Sequence, residues 1–141
     1  DPHNIGAVLR SAAAFGALGV VVQERNAPGE TGSLAKSASG ALEWVAYTPV
    51  VNIARALDLL GEEGFWRLGL DGAATTTLAA SLRPGRSALV LGAEGEGLRR
   101  LPRERCDVLA RIPMDPRVGS LNVSNAAAIG LYELVRARPA T

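Results

Sequence analysis

The chain has 141 residues, a formal net charge of +1 and 48% hydrophobic residues, which predict one globular α/β domain with a real core. The near-neutral charge excludes attraction of phosphate by the chain as a whole, so any nucleic-acid contact requires a local patch. One cysteine and one histidine exclude an internal disulfide framework and the usual zinc-site spacings. No apolar run is long enough to span a membrane and no signal-peptide pattern opens the chain, so we expect a cytoplasmic protein.

The N-terminal segment predicts a helix that starts near Asn4 and ends at Gly16. Its apolar residues fall on one helical face: Ile5, Val8, Leu9, Ala12 and Phe15. The run 20–23 then predicts a short buried strand, and a buried strand after a helix implies parallel pairing. Residues 31–39 are small and hydroxyl-rich, and they suit a short helix before Gly40.

Strand and helix patterns continue to alternate through the middle of the chain. Asn52 is a good N-cap for a helix whose buried stripe includes Leu57 and Leu60. Residues 71–77 predict a small-residue loop. The remaining strands are predicted over 44–51, 65–70, 87–91 and 108–112. This order favours a single three-layer α/β/α domain with a mostly parallel sheet.

The strand at 87–91 ends in Gly92-Ala-Glu-Gly-Glu-Gly97, before a helix-like segment over 98–105. Glycines at the C-terminal end of a parallel strand allow sharp turns and close approach of a ligand. The spacing is not that of a dinucleotide-binding fingerprint, and the loop carries acidic residues where pyrophosphate would lie.

A second candidate segment runs from Ile112 to Val135, where a loop rich in proline and glycine leads through Ser120-Leu-Asn-Val-Ser-Asn125 into a helical pattern. Such a loop exposes backbone N–H groups and short polar side chains at one point, which suits a small polar ligand. The alternative is an ordinary C-terminal helix capped by Asn122.

Three stretches together resemble the SpoU branch of the SPOUT RNA methyltransferases, which methylate the ribose 2′-hydroxyl. They are Asp1-Pro-His-Asn-Ile-Gly-Ala-Val-Leu-Arg-Ser-Ala, Leu89-Val-Leu-Gly-Ala-Glu-Gly-Glu-Gly-Leu, and Ile112-Pro-Met with the later Ser120-Leu-Asn-Val-Ser-Asn-Ala-Ala-Ala. They follow the family's order and cover essentially the whole chain. Lys36-Ser-Ala-Ser-Gly-Ala-Leu-Glu further resembles the subgroup that acts on guanosine of large-subunit ribosomal RNA.

The resemblance implies a C-terminal deep trefoil knot, in which the chain from about Ser87 threads through an earlier loop and forms the S-adenosylmethionine pocket. It also implies a homodimer whose subunits share each active site. Residues 1–141 then form one catalytic domain, and we expect an N-terminal strand and any RNA-binding domain to be missing from the sequence. The implied reaction requires no metal.

The resemblance also assigns the cofactor site. Gly92, Ile112 and Leu121 are expected to hold S-adenosylmethionine mainly through backbone groups, which tolerate an apolar sequence. The residues expected to line the pocket are Leu91, Gly95, Pro113, Met114 and Ser120.

Arg10 matches the family's catalytic arginine. A guanidinium almost never gives up its proton, so we assign Arg10 to phosphate anchoring and charge stabilisation, with proton removal aided by the RNA phosphate or water. Asn4 matches an active-site position that orients Arg10 or the ribose, and a plain helix cap is its alternative. Glu94 is a candidate for fixing Arg10 or a loop amide, with a solvated acid as its alternative. Asn122, with Ser120, is a candidate for binding the ribose or holding the knot.

Arg10, Lys36 and Arg25 are the expected RNA contacts beside the pocket. A dense basic cluster follows the glycine loop, and it suits either RNA binding or a solvated helix face balanced by Glu94, Glu96 and Glu104. Its members are Arg99, Arg100, Arg103 and Arg105. His3 is expected to face solvent in a turn, and Cys106 is expected to be a structural buried thiol.

Three functions remain open at this level. The first is a guanosine 2′-O-methyltransferase of ribosomal RNA, the second is the equivalent enzyme for transfer RNA, and the third is a non-catalytic knotted module that binds cofactor or RNA.

Overall fold

The computed structural model describes residues 2–27, 29, 32–92 and 97–138, and its contacts divide the chain into two compact units, residues 1–53 and 54–141. Helices and strands mostly alternate in both units, as the sequence predicts. All strand pairs in the described residues are parallel, which confirms the predicted pairing. These strands pair as two separate sheets, of two and of four strands.

The first unit is built from two helix and strand pairs: α1 (Pro2–Ala14), β1 (Gly19–Gln23), α2 (Gly32–Ala38) and β2 (Ala46–Val50). Leu9 of α1 and Leu34 of α2 are completely buried and form its centre. The two helices approach closely at Gly6, where an added Cβ would lie 2.7 Å from the Cβ of Ser37 and 2.9 Å from its carbonyl carbon. Glycine is therefore required at this crossing, because any side chain would push the helices apart.

The second unit contains one four-stranded parallel sheet in the order β4-β6-β3-β5. Its elements are α3 (Ile53–Glu62), β3 (Trp66–Leu70), β4 (Thr76–Thr77), α4 (Leu78–Ser81), β5 (Ser87–Val90), α5 (Arg100–Glu104), β6 (Val108–Arg111) and α6 (Val123–Arg136). The core is centred on Leu68, Leu78 and Ala110, which are at most 2% exposed. Strand β3 lies between β5 and β6, so the chain passes from one side of β3 to the other between residues 90 and 108.

Helix α6 packs against β5 at Gly130. A Cβ at this position would lie 2.6 Å from a methyl group of Leu89, so the absence of a side chain lets the helix approach the strand. Asn122 caps the helix: its side-chain oxygen accepts a hydrogen bond from the Ser124 backbone N–H at 2.8 Å and from the Ser124 hydroxyl at 2.6 Å. The predicted cap is confirmed.

Several local expectations are wrong in detail. Helix α1 begins at Pro2, so Asn4 lies inside the first turn and is not its cap. Strand β1 is not buried along its length, because Val21 is 42% exposed. Residues 71–77 do not form only a loop, since Thr76 and Thr77 pair with β6. Two residues are too few to show a strand period in the sequence.

An ion pair between Arg67 and Asp107 joins the N-terminal ends of β3 and β6. The Arg67 guanidinium donates to both Asp107 carboxylate oxygens at 3.0 and 3.1 Å, and the Arg67 backbone N–H donates to the carboxylate at 2.8 Å. Arg67 also donates to the carbonyl of Leu57 in α3 at 3.2 Å. The side chains are only 19% and 25% exposed, and the bonds from Arg67 hold the pKa of Asp107 below its usual range.

We expect Asp107→Asn to lower the free energy of unfolding at pH 7 by about 2 kcal/mol, because it leaves a half-buried guanidinium without its counter-charge. The pKa of Asp107 is depressed in the folded protein, so its contribution is complete above the unfolded pKa of about 4 and is lost as pH falls through the folded value. Urea unfolding at a series of pH values should therefore show the wild type and the variant converging in acid.

Asp115→Asn is the matched control for this prediction. Asp115 also pairs with an arginine, Arg117, but that arginine's side chain is 89% exposed, so the substitution should change stability little. Equal unfolding free energies for wild type and Asp107→Asn at pH 7 would contradict the role given to the Arg67 pair.

Candidate active site

Two of the predicted site segments leave the same edge of the four-stranded sheet. Because β3, β5 and β6 are parallel, the residues that follow them emerge at one C-terminal edge. Leu91 and Gly92 follow β5, Ile112 follows β6, and Asp71 follows β3 between them. In open parallel sheets this edge, where connections leave to opposite sides, is where ligands bind.

Gly92 begins a loop whose two ends touch through backbone atoms. An added Cβ on Gly92 would lie 2.5 Å from the Leu98 backbone nitrogen and still closer to the Gly97 carbonyl group. Gly97 itself has a φ of +68°, which side-chain-bearing residues rarely adopt. Glu94 and Gly95, two predicted site residues, lie outside the described residues. The backbone at Gly92 is thus in close contact with the backbone of Gly97 and Leu98, and only glycine fits at position 92.

The segment after β6 begins at the core and then becomes exposed. Ile112 packs against the core cluster, whereas Pro113, Met114 and Ser120 are exposed. Asp115 accepts hydrogen bonds from the Arg117 side chain and its backbone N–H, and these bonds lower the pKa of Asp115. Gly119 has a φ of +87°.

The exposed loop ends at Leu121, which is half-buried, and α6 begins after the cap residue Asn122. The ordinary capping role of Asn122 is therefore present in the structure. The cap uses the carbonyl oxygen of the side-chain amide, which also carries an NH₂ group. Ser120 lies two residues before the cap and is exposed.

A salt bridge that the sequence does not predict joins the C-terminal end of β3 to α5. The Arg103 guanidinium lies 2.6 Å from the carboxylate of Asp71, whose side chain is only 14% exposed. The same carboxylate accepts a hydrogen bond from the Ala73 backbone N–H at 2.9 Å. The only local indication of this pair in the sequence is the carboxylate of Asp71, which comes directly after a buried strand.

The basic cluster after the glycine loop is largely paired within the protein. Besides Arg103, Arg100 lies 3.6 Å from Glu104, and Arg105 lies 3.4 Å from Asp58. These pairs favour the charge-balanced helix face over a dedicated RNA surface for this cluster. Of the proposed balancing acids only Glu104 belongs to the described residues.

The predicted RNA contacts all belong to the first unit. Arg10 on α1, Lys36 on α2 and Arg25 in a 3₁₀ turn are exposed, as such contacts require. Asn4 is half-buried on α1. Arg10 lies six positions after Asn4, about 9 Å along the helix axis and on a different face, so the helix itself does not bring the two side chains together.

His3 is exposed, as expected, but it lies on α1 and not in a turn. Cys106 is half-buried, and its thiol donates to the Pro102 carbonyl at 3.3 Å. Burial raises the pKa of this thiol to about 11, so it remains protonated and poorly nucleophilic at neutral pH. This environment agrees with a structural role.

Neither a metal cluster nor a membrane span is found in the part of the chain that the structure describes. No group of three or more histidine, cysteine, aspartate or glutamate side chains there could hold a metal ion. Likewise, none of the described helices has the length and apolar character needed to cross a bilayer.

Comparison with known proteins gives a consistent family. A family model described as the SpoU rRNA methylase family matches residues 1–132. The chain is 51% identical over 138 residues to the 23S rRNA (guanosine-2′-O-)-methyltransferase RlmB of Xylella fastidiosa (strain 9a5c), covering 98% of this chain and 55% of that protein. It is 50% identical to RlmB of Escherichia coli (strain K12), covering 98% of this chain and 57% of that protein. The chain thus spans about half the length of the curated relatives it matches.

Solved structures agree with the same fold. The SpoU methyltransferase AviRb from Streptomyces viridochromogenes, in complex with the cofactor AdoMet, matches with a TM-score of 0.85 and 29% identity over 96% of this chain and 56% of that one. An RNA 2′-O ribose methyltransferase matches with a TM-score of 0.82 and 32% identity, over 96% of this chain and 52% of that one. The α/β architecture with parallel sheets is that of the SPOUT fold.

Proposed function

The chain belongs to the SpoU rRNA methylase family, and from that premise we propose that it transfers a methyl group from S-adenosylmethionine to the ribose 2′-hydroxyl of guanosine in large-subunit ribosomal RNA. The observation that carries the proposal is the agreement of the chain, over 98% of its length, with relatives named for that reaction. A cytoplasmic location follows, because that is where the proposed RNA substrate is found.

The described residues fit a cofactor held mainly through backbone atoms. Leu91, Gly92 and Ile112 directly follow two parallel strands at one sheet edge. The absence of a side chain at Gly92 lets main-chain atoms approach closely there. When bound, S-adenosylmethionine supplies an electrophilic methyl group on a sulfonium. The residues proposed to hold it are Leu91, Gly92, Gly95, Ile112, Pro113, Met114, Ser120 and Leu121.

The roles of the polar residues follow from their chemistry. Arg10 is exposed on α1, where its planar guanidinium is able to bind an RNA phosphate in a bidentate manner and offset charge that develops on the 2′-oxygen. Asn4 and Asn122 are assigned to the ribose, and Glu94 to orienting Arg10 or a loop amide. Lys36 and Arg25 extend the RNA contact across the first unit.

We further propose that the protein is a homodimer in which Arg10 of one subunit serves the cofactor segments of the other, and that the C-terminal part forms the trefoil knot. An apolar stripe on α6 supports the dimer: Ile129 is 38% exposed and Tyr132 is 51% exposed, three residues apart on one helix face. An exposed aromatic and aliphatic pair of this kind is typical of a surface that a partner covers.

The reaction is tested by incubating the purified protein with methyl-labelled S-adenosylmethionine and unmodified ribosomal RNA, followed by digestion to nucleosides. We expect label in 2′-O-methylguanosine from large-subunit RNA. Label confined to transfer RNA would show that transfer RNA is the substrate instead. A base-methylated nucleoside would exclude methylation of the ribose. Cofactor binding without incorporation into any RNA would favour the non-catalytic module.

A further inference from the structure

A basic groove lies at the edge of the four-stranded sheet opposite the candidate cofactor segments. It has a volume of about 390 Å³ and lies where β3 and β5 begin. The strands are four or five residues long, so the two edges are about 15 Å apart. The groove therefore belongs to a different surface from the proposed methyl-transfer site. Its lining residues are Gly61, Gly64, Phe65, Trp66, Arg67, Arg83, Pro84, Gly85, Arg86 and Asp107.

Positive charge is concentrated in this groove. Three arginines and one aspartate line it, a net charge of +2, whereas the whole chain carries only +1. Asp107 is engaged by Arg67 through two side-chain hydrogen bonds. Arg83 and Arg86 are exposed, and no ion pair to either is found among the described residues.

Arg83 and Arg86 are held in place by aromatic rings. The Arg83 guanidinium carbon lies 3.7 Å from the centre of the Trp66 ring, and that of Arg86 lies 4.7 Å from the centre of the Phe65 ring. Trp66 is fixed in turn, because its indole N–H donates to the Ser81 carbonyl at 2.9 Å. Arg86 additionally donates to the Glu63 carbonyl. A guanidinium stacked by its face keeps N–H groups at its rim available and loses little further entropy on binding.

Glycine forms part of the groove wall beside the arginines. Gly64 and Gly85 have φ values of +85° and +96°, and nothing lies within 4 Å of the Cβ position of Gly85. An extended backbone is therefore able to approach the main chain between the two guanidinium groups. Planar guanidinium cations of this kind are well suited to bind phosphate oxygens.

We infer that this groove, through Arg83 and Arg86, binds the phosphodiester backbone of the RNA at a distance from the methylated nucleotide. The inference rests on the proposed function for its RNA ligand, but not on the chemistry at the cofactor site. Binding of this kind anchors and orients the RNA without reading its sequence.

The test measures affinity for an RNA fragment by fluorescence anisotropy over a series of salt concentrations, with wild type, Arg83→Gln and Arg83→Lys. Loss of one phosphate contact should weaken binding about 3- to 10-fold and reduce the slope of log K against log salt by about 0.7 to 0.9. Arg83→Lys keeps the charge and should restore most of the slope. Arg138→Gln, which removes one exposed arginine just beyond the end of α6, is the matched control and should leave the slope unchanged.

A wild-type salt slope in Arg83→Gln would overturn the inference. A thermal midpoint lowered in Arg83→Gln with the slope retained would likewise show that the arginine only supports the fold. Methylation kinetics separate this inference from the proposed function: Arg83→Gln should raise KM for RNA and leave kcat near the wild-type value. Absence of methylation by the wild type would instead refute the proposed function, and the salt slopes would still decide whether the groove binds RNA.

Discussion

Replacement of Arg10 by alanine is expected to lower kcat for RNA methylation by about 10²- to 10³-fold, the usual effect of removing one group that stabilises developing charge. The Arg10 side chain is exposed on α1, whereas Leu9 and Ala12 are buried in the core, so the fold should persist. Single-turnover methyl transfer measures the change, and calorimetry should show unchanged affinity for S-adenosylmethionine. A kcat within about threefold of wild type would remove Arg10 from the reaction.

Arg10→Lys distinguishes charge stabilisation from proton abstraction by the same residue. Lysine retains the positive charge but not the planar bidentate donor set, so we expect partial activity with a wild-type pH profile. A role as general base predicts a different result, because an amine and a guanidinium lose their protons in different pH ranges. The pH at which activity rises would then differ between Arg10→Lys and the wild type.

Mixed dimers test whether Arg10 acts across the subunit boundary. If each site combines Arg10 of one subunit with Gly92 of the other, a heterodimer of Arg10→Ala with Gly92→Ala contains one intact site. An equal mixture of the two variants is refolded or coexpressed and assayed at an S-adenosylmethionine concentration too low to saturate Gly92→Ala. It should then show about a quarter of wild-type activity, since half of the dimers are mixed and each has one working site. No recovery in the mixture would mean that both residues serve the same subunit.

The sequence predicts best the features that depend on neighbouring residues. The Asn122 cap and the buried Leu57 face of α3 follow from short-range patterns and are present in the structure. The glycine-rich segment after β5 is also predicted locally, because Gly92 begins it two positions after a strongly apolar strand. The alternation of elements then predicts parallel pairing without knowledge of the strand order.

The features that the sequence does not reveal depend on which strands are neighbours. Arg67 and Asp107 are 40 residues apart, and they meet only because β6 pairs with β3 and not with β5. Asp71 follows β3 and Arg103 lies on α5, 32 positions later, so their contact likewise depends on the tertiary fold and not on a local pattern. The groove of Arg83 and Trp66 likewise arises from a turn that returns to the start of β3. A local pattern carries no information about these contacts.

Gly92→Ala is expected to reduce the affinity for S-adenosylmethionine at least about tenfold, because the added methyl group would push the backbone at residue 92 away from that of residues 97 and 98. The new methyl group would lie 2.5 Å from the Leu98 backbone nitrogen and nearer still to the Gly97 carbonyl. These are backbone atoms, so no rotation of a side chain relieves the contact, and the two ends of the loop must separate.

Gly72→Ala is the control for this substitution, since it adds the same methyl group near the same sheet edge where nothing lies within 4 Å. Calorimetric titration should give wild-type cofactor affinity for Gly72→Ala and a weakened value for Gly92→Ala, while urea unfolding shows whether Gly92→Ala retains its core. Wild-type affinity in Gly92→Ala would place the cofactor away from this loop. A displacement of the backbone at residues 91 and 92 must change the affinity of a ligand that this backbone holds, whereas it leaves the affinity of a ligand bound elsewhere unchanged.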